Sequence, residues 1–199
     1  VVVQKAFKYR FFPTDAQAAQ LAKTFGCARY VYNRALESRT SAWRQEKKSI
    51  GYHITSAKLT EWKKEPEKAF LSEVSSVVLQ QSLRNLDAAF TNFFENRSQY
   101  PAFKSKRGRQ SARYATNAFT YRDGRITLAR QSEPLDIVWS RPLPDDAKLV
   151  NLTVSRDTSG EAARQDQRRP KGHASEIHDE DHPREPSDLC RRTERGRDG

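Results

Sequence analysis

The chain has 199 residues, enough for one good core or two small ones, but 36% hydrophobic content and a mean hydropathy of −0.91 are low for a chain folded throughout. A formal charge of +11 and an isoelectric point near 9.8 point to a polyanionic partner, nucleic acid or an anionic membrane surface. No apolar run approaches the roughly 18 residues of a membrane span, no signal-peptide pattern opens the chain, and Cys27 and Cys190 form neither a zinc ribbon nor a disulfide framework. A cytoplasmic protein without a membrane partner is therefore expected.

Residues 3–12 alternate, with Phe7, Tyr9 and Phe11 on one face and Lys8 and Arg10 on the other, the two-residue period of a half-buried strand. Thr14-Asp15-Ala16-Gln17 is a capping box, in which the Thr14 hydroxyl and the Gln17 side chain each satisfy a free N–H at a helix start. That helix is expected to reach Phe25 with Ala18, Leu21, Ala22 and Phe25 inward, to break at Gly26, and to be followed by a second helix over 28–45 burying Val31, Ala35 and Leu36. The pair admits two readings. One is an ordinary αα-hairpin; the other is a helix-turn-helix presenting Arg29, Asn33 and Arg34 to DNA.

A short helix is expected over 54–64, capped by Thr55 or Ser56 and ended before Pro66. The segment 74–94 carries apolar residues at Leu79, Leu83, Leu86, Phe90 and Phe94, a helical spacing, with Ser76, Gln80, Arg84 and Asn85 on its other face. Residues 93–125 then interleave eight Lys/Arg with seven aromatics against Glu95 and Asp123, the charge a phosphate backbone attracts and the rings that unstacked bases use. Beyond Tyr114 the period becomes strand-like. Residues 119–122, the Asp123-Gly124 pair and residues 125–128 read as a type I′ hairpin, because glycine tolerates the positive φ of that turn. Further strands are expected over 135–139 and 149–154, and the strand at 3–12 must return to them if a barrel is to close.

From Glu161 the composition changes. The last 39 residues hold nine basic and ten acidic side chains and no aromatic, so the excess positive charge belongs to residues 1–160. Such a segment cannot bury enough apolar surface to offset its ordering entropy and is expected to be disordered. His173, His178, His182, Asp179, Asp181 and Cys190 are metal-ligand types there, but nothing nearby would hold them in fixed geometry, and no metal is expected. Carboxylates elsewhere are scattered, and neither a Ser-His-Asp set nor a phosphate-cradling Gly loop is present. These residues describe a binding module rather than an enzyme.

Taken in order, KAFKYRFFPT (5–14), GCARYVYNRAL (26–36), LSEVSSVVLQQSLRNLDAAFTNFF (71–94), YPAFKSKR (100–107) and LTVSRD (152–157) closely resemble the amino-terminal half of TnpB (OrfB) proteins, the accessory transposase family of insertion sequences. The resemblance covers about residues 1–159. It implies an α+β fold in which a helical recognition lobe is inserted into an OB-like wedge β-barrel, here incomplete: a first barrel strand at 1–12, a recognition lobe with a helix-turn-helix-like start at 13–99, and a basic crossing and the remaining strands at 100–160; the tail expected to be disordered, 161–199, lies beyond it. Partners implied are DNA and a guide RNA made from the transposon end, with an intact transposase copy as a further candidate.

Family contacts to the short motif beside the DNA target fall on Tyr52, Ser56, Ser76, Gln80, Thr116 and Asn117. Backbone contacts are expected at Lys104, Lys106, Arg107, Arg109 and Arg113. Phe93, Phe94 and Phe103 are assigned a mainly structural role. The resemblance also implies RNA-guided DNA cleavage using Mg²⁺ in a RuvC-like nuclease region, but after Gly160 the pattern stops, and neither the nuclease acids nor the zinc cysteines follow. A frameshift near Gly160 is expected, leaving a nucleic-acid-binding protein with no catalytic residues or cofactor of its own. A nuclease-free helix-turn-helix regulator and a nonfunctional fragment are the alternatives.

Overall fold

The computed structural model describes residues 5–144, 147–156 and 173–177, the last by backbone alone. Strand β1 (Phe7–Phe12) buries Tyr9 and Phe11 and exposes Lys8 and Arg10, as the alternation requires. The capping box forms: the Thr14 hydroxyl accepts from Gln17 N, and Gln17 Oε1 accepts from Thr14 N. Gln17 does more than cap. It is buried, and its Nε2 donates to the carbonyls of Glu133 and Pro134, tying the helix start to a segment 116 residues further along the chain.

Helix α1 (Asp15–Glu46) runs 32 residues without a break. Gly26 lies inside it, with open space where a Cβ would be and no positive φ, so neither the αα-hairpin nor the helix-turn-helix expected over 14–45 is present. The physical reason is that two cores hold one helix: Leu21, Phe25 and Ala28 pack with the strands, whereas Val31, Ala35 and Leu36 pack with the other helices. Continuous burial outweighs the roughly 1 kcal/mol that glycine costs a helix interior. Ala22, expected inward, is exposed.

Helix α2 (Tyr52–Lys64) starts two residues earlier than expected, with Gly51 as its N-cap and no side-chain cap; Thr55 instead bonds back to the Gly51 and Tyr52 carbonyls. A 3-10 segment (Pro66–Ser72) leads to α3 (Ser76–Phe94), whose Leu79, Leu83, Leu86 and Phe90 are buried at the expected spacing. Ser82 of α3 donates to the Ala28 carbonyl of α1 at 2.6 Å, so a small side chain marks the close crossing of these helices. Phe94 is 67% exposed and Phe103 is 63% exposed, which removes both from the core where they were expected.

The strands β2 (Ser111–Ala115), β3 (Phe119–Arg122), β4 (Arg125–Leu128), β5 (Asp136–Val138), β6 (Asn151–Arg156) and β7 (His173–Ile177) form two sheets. One is the β3-β4 hairpin, with Asp123 (φ 50°) and Gly124 (φ 73°) making its primed turn. The other is ordered β2-β6-β7-β1-β5, all antiparallel, with Arg10 opposite Val138 and Phe12 opposite Asp136. The first strand thus returns to the late ones, and the helices lie between β1 and β2 in the chain. Strand pairing begins at Ser111, earlier than the period change at Tyr114. Residues of the segment from Glu161 lie outside those described, apart from β7, whose backbone stands between β1 and β6. The architecture is mixed α and β, with a sheet core and a helical core that meet along α1 and α3.

Candidate nucleic-acid interface

Two surfaces collect the residues expected to bind. At the first, α2 and α3 run antiparallel and are joined at both ends. Lys63 Nζ donates to Ser76 Oγ at 2.6 Å, and the Arg84 guanidinium lies 5.1 Å from the Tyr52 ring centre. Ser56 is one turn along α2 from Tyr52, and Gln80 is one turn along α3 from Ser76, so these two belong to the same seam by helical spacing. Gln80 and Ser76 are exposed at the seam; Tyr52 and Ser56 are half-buried.

Thr116 and Asn117 sit in a short 3-10 turn (Thr116–Ala118) after β2, exposed, on the side of the strands that packs against α3. The Thr116 hydroxyl donates to the Val150 carbonyl at 3.1 Å, so its first duty is to hold the turn to the approach of β6. The turn is also bonded to the hairpin, because Ala129 N donates to the Ala118 carbonyl. That bond brings Arg130 alongside. Arg130 has φ 69° and donates to the Ser72 carbonyl, four residues before Ser76.

Lys63 and Arg130 were not among the expected site residues. Burial holds the Lys63 ammonium below its ordinary range, and the charge of Arg130 adds to the shift. Two cations are thus drawn together at the start of α3. No local pattern in the sequence marks this pair, which is created by the tertiary path of two segments 67 residues apart.

The second surface is the loop from Lys104 to Gln110. Asn33 of α1 bonds Lys104 twice, Nδ2 donating to its carbonyl at 2.9 Å and Oδ1 accepting from its N–H at 2.8 Å. The Lys104 ammonium lies 4.1 Å from the Tyr32 ring centre, and its desolvation there lowers its pKa. Arg29, one turn earlier on α1, donates to Gln110 Oε1 at 2.8 Å. Arg29 and Asn33 therefore hold a loop, rather than projecting as the helix-turn-helix reading required, and Arg34 pairs with Glu37 at 2.8 Å.

Lys106, Arg107 and Arg109 are exposed along this loop, whereas Arg113 is in β2 with its Nε and Nη2 atoms buried. Between the loop, α1 and α3 is a shallow cleft lined by four cations, Arg29, Lys104, Arg109 and Arg113, and by no carboxylate among the described residues. Phe103 stands exposed at the loop's start, a ring on which a base could stack.

Among the described residues, no three His, Cys, Asp or Glu side chains come together to hold a metal ion, so these residues do not fit the Mg²⁺ site that the resemblance implies for a nuclease region. The tail histidines lie outside the residues whose side chains are described. No described helix is long and apolar enough to cross a membrane.

The helix-turn-helix domain family of OrfB proteins of IS605 elements matches residues 3–48. A Streptomyces pristinaespiralis protein named as a putative RNA-guided DNA endonuclease is 61% identical over 159 residues, covering 79% of this chain and 40% of that protein. InsQ of Escherichia coli K12, named in the same way, is 37% identical over 108 residues, 54% of this chain and 27% of its own length. The virulence protein VsdF of Salmonella dublin is 33% identical over 114 residues, 53% of this chain and 96% of VsdF. The chain spans less than half the length of the two endonuclease-named relatives. The chain belongs to the TnpB (OrfB) family of insertion-sequence proteins, of which it carries an amino-terminal segment.

Proposed function

We propose that this chain binds a guide RNA and duplex DNA, reading a short DNA motif at the α2–α3 seam and holding nucleic-acid backbone on the loop at 104–110. In this reading the strands form an OB-like wedge made of residues 1–12 and 100–160, and residues 13–99 are the recognition lobe inserted in it. The observation that carries it is the start of α3, where Lys63 of α2 bonds Ser76 and where Arg130, next to the residue that bonds the turn at 116–118, bonds the Ser72 carbonyl. Polar side chains there suit base edges and phosphates; the two cations suit the duplex backbone. The names of the relatives support RNA and DNA as the two ligands.

The test uses the full chain, first against duplex DNA with a randomised window, with and without RNA from the insertion-element end. A short enriched motif is expected, together with tighter binding of that RNA than of a shuffled one. Gln80→Ala should erase the motif while keeping most of the affinity. Lys63→Ala should weaken all duplexes alike, by about tenfold or more for removal of one charge-assisted hydrogen bond. Selection of a long operator without RNA would favour a duplex-binding regulator instead. Failure to retain any nucleic acid would overturn both.

A further inference from the structure

The loop at 104–110 carries more internal bonding than its exposure requires. Gln110 Nε2 faces three carbonyls of its own loop, those of Ser105, Lys106 and Gly108, at 3.1, 3.0 and 2.8 Å. An amide nitrogen has two hydrogens, so at least one is shared. The Ser105 hydroxyl accepts from Gly108 N at 3.0 Å and closes the turn from within. The opposite end of the same amide, Oε1, accepts from Arg29. That bond fixes which way the amide points. With the amide reversed, its oxygen would face three carbonyl oxygens and its nitrogen would face a guanidinium.

Both ends of the loop are thus held on one face of α1, at Arg29 and, one turn later, at Asn33. Between them Lys106, Arg107 and Arg109 are exposed like charges, which would spread an unheld loop. We propose that Gln110, oriented by Arg29 and assisted by Asn33, is a positioning residue that holds the basic loop in its binding shape before nucleic acid arrives. The inference rests on reading this surface as a nucleic-acid interface. Gln110 carries no charge and need not touch the ligand; its effect is to remove the ordering cost that a loose loop would meet on binding.

The two roles separate in one experiment, with a fluorescein-labelled single-stranded RNA of mixed sequence as probe, a salt series, and amide hydrogen exchange on the free protein. Gln110→Ala should speed exchange at Gly108 and weaken binding about tenfold, the scale expected when a binding surface must be ordered on association, with the slope of log affinity against log salt unchanged. The Lys106→Ala/Arg107→Ala/Arg109→Ala variant should leave exchange as it was and reduce the slope by about 2, at ~0.7 per phosphate on a single strand. Asn33→Ala, which frees the other end without altering charge, is the second variant should Gln110→Ala not fold; it should speed exchange at Lys104 N–H and weaken binding with the slope preserved.

RNA binding by the wild type that Gln110→Ala and Asn33→Ala leave untouched would overturn the positioning role and spare the interface. A shallower slope in Gln110→Ala would also overturn it, by making Gln110 part of the charged surface that meets the phosphates. No salt-dependent RNA binding by the wild type would overturn the interface reading and this inference together.

Discussion

Tyr114 shows how burial converts one side chain into a pH dependence. It is fully enclosed between α1 and the sheet, and burial pushes its phenol up to about 12 from an ordinary 10.0, while a side-chain hydrogen bond with Thr24 works the other way. Between those two values the folded chain keeps a proton that the unfolded chain has given up. Stability from this group is therefore complete below about pH 10 and declines as the pH rises toward 12. Urea unfolding at stepped alkaline pH should show that decline, and Tyr114→Phe, which has no proton to lose, should reduce it. An equally steep decline in Tyr114→Phe would assign it to other groups.

At the scale of elements, α1 is the decisive case, because its continuity changes what its residues do. An unbroken helix puts Arg29 and Asn33 one turn apart on the face that carries the basic loop, where a turn at Gly26 would have aimed them elsewhere. Gly26→Ala tests this directly. A Cβ at that position meets nothing within 4 Å and the φ is not positive, so alanine should stabilise the chain by about 0.5–1 kcal/mol in denaturant unfolding. A helix break there would instead make alanine destabilising.

Gly26 also marks the boundary between what neighbours in the chain decide and what tertiary packing decides. Features set by near neighbours are legible in the sequence: the Thr14–Gln17 box, the Asp123-Gly124 turn, the β1 alternation and the α3 spacing all take the expected form. Gly26 reads as a stop because local propensity disfavours it, and only burial against two cores overrides that preference. Phe94 and Phe103 read as core because ring chemistry does not reveal which way a residue faces. Lys63 beside Ser76, and Gln110 held by Arg29, depend on long-range register. Of the expected backbone cations, Lys104, Lys106, Arg107 and Arg109 are exposed, Lys104 with its ammonium over the Tyr32 ring, whereas Arg113 is half-buried in β2.

For the molecule as a whole, charge and shape coincide. The positive excess lies in residues 1–160, and the described part of that region gathers cations where α1, α3 and β2 meet, beside a cleft whose described lining holds no carboxylate. The proposed function makes nucleic acid the ligand class of that surface. The most direct test of the interface is the salt dependence of RNA binding by the full chain against a variant with Lys104, Lys106, Arg107, Arg109 and Arg113 all changed to alanine, with folding checked by circular dichroism. The slope of log affinity against log salt should become shallower by about 2 to 4 in the folded variant, at ~0.7 for each phosphate no longer neutralised. An unchanged slope would contradict the assignment of nucleic-acid backbone to this surface.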